Sequence, residues 1–145
     1  MSKSTSQIVC PHCGAINRIP AAKSALEAKC GKCKQPLFSG KPAALTDQGF
    51  AKMIGKTSVP IVVDFWAPWC GPCKMMGPEF AKAAIALEPE VRFAKLNTQD
   101  HQLTANKYHI QGIPNMILFK NGAPVAQQAG AMSAEQIIAW VNANL

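Results

Sequence analysis

Four cysteines within the first 33 residues constrain this chain more than any other feature. Cys10 and Cys13 ("CPHC") and Cys30 and Cys33 ("CGKC") are spaced C-x2-C-x16-C-x2-C. Residues 1–38 contain no long apolar period, and a segment so short needs a metal or disulfides to hold a fold. The spacing fits a zinc site. Each pair closes a tight loop whose two sulfurs point to one spot, with Gly14 and Gly31 letting backbone N–H groups approach the thiolates. Four thiolates complete a tetrahedron and leave no open position. The expected ligand is therefore one structural Zn2+ held by Cys10, Cys13, Cys30 and Cys33, with disulfides or incidental free thiols as the competing arrangements. His12 is expected beside that site rather than in it.

Charge sharpens the division. Residues 1–43 carry seven Lys/Arg against one acid, Glu27, whereas the remainder carries eight basic and seven acidic residues. Such asymmetry is one footprint of nucleic-acid binding. A four-thiolate zinc site brings two negative charges of its own and lowers the segment's excess to about +4. Phe38 is the only aromatic residue of the segment, so base stacking has little to work with and nucleic acid is not the expected partner. No apolar run reaches the roughly 18 residues of a membrane span, and "MSKSTSQIVC" lacks the apolar core of a signal peptide. The expected compartment is the cytoplasm, where thiols stay reduced and cysteines serve metals or redox catalysis. The expected state is a monomer.

The pattern along the chain divides it into a zinc-binding module at 1–38, a linker at 39–44 containing "SGKP", and a second domain at 45–145. In that domain "LTDQGFAKMIG" predicts a short helix capped by Thr46 or Asp47 and stopped at Gly55. "IVVDFW" (Ile61–Trp66) predicts a buried strand. "GPCKMMGPEFAKAAIALE" predicts a helix burying Met76, Phe80, Ala83, Ala84 and Leu87, kinked at Gly77-Pro78. "VRFAKLN" predicts a strand and "HQLTANKYH" a short helix. "NMILFKNGAPVAQQ" predicts a hairpin turning at Asn121-Gly122, with Pro124 on an edge strand. "SAEQIIAWVNANL" predicts a final helix with a Ser133/Gln136 capping box and an apolar face of Ile137, Ile138, Trp140, Val141 and Leu145. The order α, β, α, β, α, β, β, α implies an α/β fold, a mixed sheet with helices on both faces.

A third C-x-x-C, Cys70–Cys73, sits in "APWCGPCK" (Ala67–Lys74). It follows a buried strand and opens a helix, the setting of a redox motif. A helix N-terminus exposes unpaired N–H groups and positive dipole charge, which stabilise a thiolate at Cys70. Cys73, three residues on, shares its face. Pro72 falls in the first turn, where its missing N–H costs nothing. Strand alternation places Val62, Asp64 and Trp66 on one face, and burial of Asp64 among apolar residues predicts a raised pKa.

These residues resemble a known family. "VDFWAPWCGPCK" is similar to the thioredoxin active-site segment nearly residue for residue, and "AKLN" (Ala94–Asn97), "GIPNMILFKNG" (Gly112–Gly122) and Gly130 extend the match over Leu45–Leu145. With the four-cysteine module, itself similar to a zinc ribbon, and its "AINRIP" segment (Ala15–Pro20), the chain resembles the bacterial zinc-containing thioredoxin-2 type. The resemblance implies a thioredoxin fold and a protein-disulfide reductase. It makes Cys70 the nucleophile and Cys73 the resolving thiol, with Trp69, Gly71 and Pro72 in the active-site loop. Asp64 becomes the buried proton acceptor for Cys73, tuned by Lys95. Pro114 matches a cis-proline, and Trp69, Gly112, Ile113, Pro114, Gly130 and Ala131 make an apolar surface for target chains. Ile113 offers its backbone to an extended substrate, and Trp66 packs beneath the site. Asn115 departs from the threonine common there. His101 and His109 are expected at the surface.

The implied partners are disulfide-containing target proteins and a NADPH-dependent thioredoxin reductase. The sequence has no GxGxxG fingerprint, so no organic cofactor of its own is expected. Two other readings stay open. One is a binding or redox-sensing protein that uses its zinc module for recognition and the second domain as scaffold. The other is an oxidase or isomerase, against which the Gly-Pro between Cys70 and Cys73 argues.

Overall fold

The computed structural model describes residues 5–145. The first strand pair, β1 (Thr5–Val9) and β2 (Ile16–Pro20), is antiparallel, and a 3-10 turn follows at Ala25–Glu27. A small core of Ile8, Cys10, Ile19, Ala28, Cys30, Leu37 and Phe38 fills this module. A core of this size ordinarily needs a metal or disulfides to hold a fold.

The rest of the chain builds β3 (Ala43–Ala44), α1 (Phe50–Lys56), β4 (Ile61–Trp66), α2 (Gly71–Leu87), β5 (Arg92–Asn97), α3 (Gln102–Lys107), β6 (Asn115–Lys120), β7 (Ala123–Ala129) and α4 (Ala134–Ala143). The strands form one sheet in the order β3-β5-β4-β6-β7. β3, β5 and β4 run parallel, while β6 and β7 are antiparallel to their neighbours. Ala43–Ala44, inside the expected linker, thus pair with the edge of the sheet.

Alternation along β4 sends Ile61, Val63 and Phe65 into one core layer, with Phe50, Met53 and Ile54 of α1. Val62 enters the opposite layer with Met76 and Phe80 of α2 and Ile137 and Val141 of α4. Asp64 and Trp66 share the parity of Val62. They therefore lie on the face that α2 covers, above the apolar layer and towards the helix N-terminus.

Most expected elements are present, with local differences that have physical causes. α1 starts at Phe50, and its N-cap Gly49 makes no side-chain capping bond. Thr46 Oγ instead accepts from Gly49 N at 3.0 Å in the preceding turn. Asp47 serves another helix: it accepts from Thr104 N (2.8 Å) and Thr104 Oγ (2.7 Å) at the start of α3. Those contacts hold its carboxyl below the usual carboxylate range, Thr104 foremost. Gly55 lies inside α1, which ends at Lys56. α2 continues through Pro78, which faces solvent. At the hairpin, Asn121 (φ 54°) and Gly122 (φ 81°) both adopt left-handed backbone, as a type I′ turn requires. Ser133 and Gln136 form the reciprocal capping box. Leu145 lies past the end of α4 and is exposed.

One junction had no sequence signal. β1 docks against the end of α1: Gln7 N donates to Ser58 Oγ (2.8 Å), Ser58 N to Gln7 O (2.8 Å) and Gln7 Nε2 to Lys56 O (2.8 Å). Arg92, 1% exposed, donates from Nη2 to Leu37 O at 2.6 Å and stacks over the Phe38 ring at 4.2 Å. Its Nη1 faces Glu88 at 3.7 Å, and Glu88 accepts from Phe93 N at 2.9 Å. A sheet residue thus carries a buried charge into the module.

Candidate functional site

The third cysteine pair sits where β4 ends and α2 begins. Cys70 is the N-cap of α2, in extended backbone, and its sulfur accepts from Cys73 N at 3.2 Å. That places the sulfur at the positive end of a 17-residue helix, where anionic sulfur is favoured. Pro72 lies in the first turn. Cys70 and Cys73 are joined as a disulfide with Cα atoms 5.2 Å apart, so the structure holds the oxidised form. Both cysteines are nearly buried, in a cluster with Ala67, Trp66 and Ile113.

Across from them the Ile113–Pro114 peptide bond is cis. Ile113 O lies 3.7 Å from Cys70 Sγ. Gly130 N donates to Pro114 O at 2.9 Å, which ties the 112–114 loop to the end of β7. Ile113 N makes no hydrogen bond among the described residues, so it is available to an extended chain. Trp69 is 69% exposed beside the disulfide, and Gly112, Gly130 and Ala131 are also exposed.

Asp64 is fully buried, and neither carboxylate oxygen has a hydrogen-bond partner. Burial raises its pKa to about 7, against a smaller downward pull from Lys95. Lys95 is its register partner on β5. The ammonium stacks over the Trp66 ring at 4.6 Å and makes no ion pair with Asp64 among the described residues. Its pull on Asp64 therefore acts through the field rather than through an ion pair, and burial remains the larger effect.

The other four cysteines meet in the module. Their sulfurs all lie within 4.8 Å of one another. Cys10 to Cys33 and Cys13 to Cys30 are each 3.6 Å. A tetrahedron with a centre-to-sulfur distance of about 2.3 Å has edges of about 3.8 Å, so the donor set fits a closed metal site. It does not fit disulfides, whose sulfurs bond at about 2.05 Å. His12 N donates to Cys10 Sγ (3.3 Å) and Lys32 N to Cys30 Sγ (3.4 Å). Asn17 links the loops: its Nδ2 donates to Cys30 Sγ at 3.5 Å, and its Oδ1 accepts from Gly31 N at 2.9 Å. The Cys33 N–H, then the Asn17 amide, pull Cys30 down to about 5. Cys33, despite a lowering N–H from Gln35, is pushed up to about 11 by burial and the neighbouring sulfurs. Cys30 thus ionises more readily than Cys33, and a divalent cation would favour the thiolate at both. The His12 side chain is exposed and outside the set.

Other contacts near the site join residues far apart in the chain. Asn115 is buried; its Nδ2 donates to Gly112 O (3.4 Å) and its Oδ1 accepts from Gln127 Nε2 (3.0 Å), bracing the loop before Pro114. His101 is half-buried rather than at the surface, because its Nδ1 accepts from Asp47 N at 3.2 Å. His109 is exposed.

Comparisons with known proteins agree with this layout. A family model described as "Thioredoxin" matches residues 41–143, and one described as "Thioredoxin 2, N-terminal" matches residues 9–35. Thioredoxin C-3 of Corynebacterium nephridii is 38% identical over 138 residues, covering 95% of this chain and 94% of that protein. Thioredoxins of Pseudomonas aeruginosa (40% identical) and Haemophilus influenzae (37% identical) each match over 101 residues, 70% of this chain and 94% of theirs. No helix among the described residues is long and apolar enough to cross a membrane.

Proposed function

This chain belongs to the thioredoxin family of protein-disulfide reductases, and we propose that Cys70 and Cys73 carry its chemistry, with Asp64 moving the proton. The Cys70 thiolate attacks one sulfur of a target disulfide. A Cys70–target disulfide forms, and the second target sulfur leaves as a thiolate. The Asp64 carboxylate then takes the proton of Cys73, which attacks the Cys70 sulfur. The target leaves reduced by two electrons, and Cys70–Cys73 is left as the disulfide. A thioredoxin reductase drawing on NADPH would restore the dithiol.

The observation that most supports this reading is the placement of Cys70. It caps α2 and faces Ile113 O and cis-Pro114, while an unpartnered buried carboxylate sits on the same side of the sheet. Trp69, Gly71, Pro72, Gly112, Ile113, Pro114 and Gly130 would frame an extended target segment, with Ile113 N supplying a strand-like hydrogen bond. Lys95 acts on Asp64 only through its field.

Cys10, Cys13, Cys30 and Cys33 would hold one Zn2+ in a closed site, where it supplies folding energy and no reaction step. Phe38, the module's aromatic ring, is buried under Arg92, which leaves no ring there to stack on a base.

The test is Cys73→Ser in the full chain. It removes the resolving thiol, so targets accumulate on Cys70 as mixed disulfides visible on non-reducing gels and released by dithiothreitol. Adding Cys70→Ser abolishes the adducts. If Cys73→Ser traps nothing, or Cys70→Ser still reduces disulfides, the assignment fails.

A further inference from the structure

We propose that the groove beside the active-site disulfide, walled by Met75 and Met132, binds an apolar side chain of the target polypeptide close to its reacting cysteine. The proposal rests on the reductase reading above and adds a selectivity to it. A groove of about 380 Å³ runs between the first turns of α2 and the loop that enters α4. Met75, Met76, Glu79, Ala131, Met132 and Ser133 line it. Met76 is its buried floor, Met132 is half-buried, and Met75 is 73% exposed.

The groove neighbours the reacting centre through Ala131, the residue after Gly130. Met75 follows Cys73 by two residues. Ala131 and Met132 follow Gly130, whose N–H holds Pro114 O. Trp69 and Met75, two of the most exposed apolar side chains of the chain, flank Cys70 and Cys73 in sequence. From Cys70, Met75 is on the order of 10 Å away, the reach of about three extended residues.

The lining determines what fits. Its polar groups are already engaged within the chain. Glu79 Oε1 accepts from Ala134 N (2.8 Å) and Oε2 from Lys82 Nζ (3.1 Å). Ser133 Oγ accepts from Gln136 N (3.2 Å), and Ser133 N donates to Gln136 Oε1 (2.9 Å). What remains for a ligand is hydrocarbon and thioether. Unbranched thioether side chains adapt to differently shaped apolar partners, which suits an enzyme with many targets.

The experiment compares two synthetic disulfide peptides that differ only in carrying leucine or serine within three residues of either cysteine. The full wild-type chain should reduce the leucine peptide with a kcat/KM on the order of tenfold above the serine peptide, mostly through KM. In Met75→Gln/Met132→Gln that preference should fall to within about twofold. Ile85→Gln changes an equally exposed apolar residue of α2 outside the groove and should keep the preference. A wild-type chain without a leucine preference overturns the proposal, as does a double variant that retains it. So does self-association of the wild-type chain that the double variant abolishes while the peptide preference stays, because a second copy would then fill the groove. If the wild-type chain reduced neither peptide, the reductase reading itself would fall, and the groove assignment with it.

Discussion

Asp64 offers the sharpest quantitative test. Its carboxylate is fully buried without a hydrogen-bond partner, and burial raises its pKa from 3.8 to about 7. In the unfolded chain the same group titrates near an ordinary value of about 3.9. Between those two pH values the folded chain keeps a proton that the unfolded chain has released. Stability therefore falls as pH rises through this window. The penalty is absent below about pH 4 and complete above about pH 7, where the gap corresponds to about 4 kcal/mol. Asp64→Asn keeps the size and polarity of the protonated acid and cannot ionise. The oxidised variant and the oxidised wild type should therefore unfold in urea with similar free energies at pH 4. At pH 8 the variant should be more stable by about 4 kcal/mol, or roughly 10 °C in Tm. Under the mechanism proposed above, the same variant should also resolve mixed disulfides slowly at neutral pH, because an amide cannot take the proton of Cys73. An equal stability difference at both pH values, or a variant less stable at pH 8, would refute the argument that burial of charge controls this residue.

Arg92→Ala should destabilise the chain by about 3–5 kcal/mol in thermal or urea unfolding, because it leaves Glu88 buried without its cation. Arg92→Ala/Glu88→Gln should recover part of that loss. Mercurial titration of the four module thiols should release about one Zn2+ per chain, as a closed four-cysteine site predicts. Hydrogen exchange should then rise across residues 5–38 and stay low in β4 and β6; protected module amides after metal release would show that the small core suffices. Ser133→Ala should cost about 1 kcal/mol, since it removes one half of the reciprocal cap on α4; no change would mean that α4 is held by Ile137 and Val141 alone.

What the sequence made legible was whatever repeats with a period or depends on a short local motif. Ile61–Trp66 read as a buried strand because both faces are apolar, and α2 read as a helix because Met76, Phe80, Ala83 and Ala84 recur on one side. The capping box and the Asn121-Gly122 turn were legible for the same reason: each is a few residues whose backbone demands are local. The misses are long-range. Asp47 caps α3 from more than fifty residues away, so it looked like a cap for its own helix. Arg92 read as one residue of a strand, yet it closes the junction with Leu37 and Phe38 across 55 positions. Asn115 carried no local signal because its partners are Gly112 in a loop and Gln127 across the hairpin. At the site itself the dithiol was legible from its setting and Asp64 from its apolar neighbours. The absence of a Lys95–Asp64 ion pair among the described residues was not, because the ammonium lies over the Trp66 ring.

The three C-x-x-C pairs show why equal spacing does not mean equal chemistry. Each pair begins as the same helical turn. The fourth residue past the first cysteine donates to that cysteine's carbonyl: Gly14 to Cys10 at 3.0 Å, Lys34 to Cys30 at 2.9 Å and Lys74 to Cys70 at 3.1 Å. In each pair the first sulfur also accepts from a following backbone N–H. The divergence comes one residue after the second cysteine. Gly14 (φ 80°) and Lys34 (φ 68°) turn left-handed and end the turn. The chain then folds back, so that Cys10 N reaches Ala15 O and Cys30 N reaches Gln35 O, both at 2.8 Å. The two loops so formed face each other, and their four sulfurs converge as a metal requires. Lys74 stays helical, so the third pair is carried by the end of α2, where the helix dipole favours a thiolate. Its two sulfurs are joined to each other and meet no other sulfur among the described residues. A single backbone torsion after the second cysteine thus separates the pairs that converge as four sulfurs from the pair that closes on itself at a helix end. Lys34 is the costly case, since a non-glycine residue is held there in left-handed backbone, and the module accepts that cost at the position that closes its second metal loop.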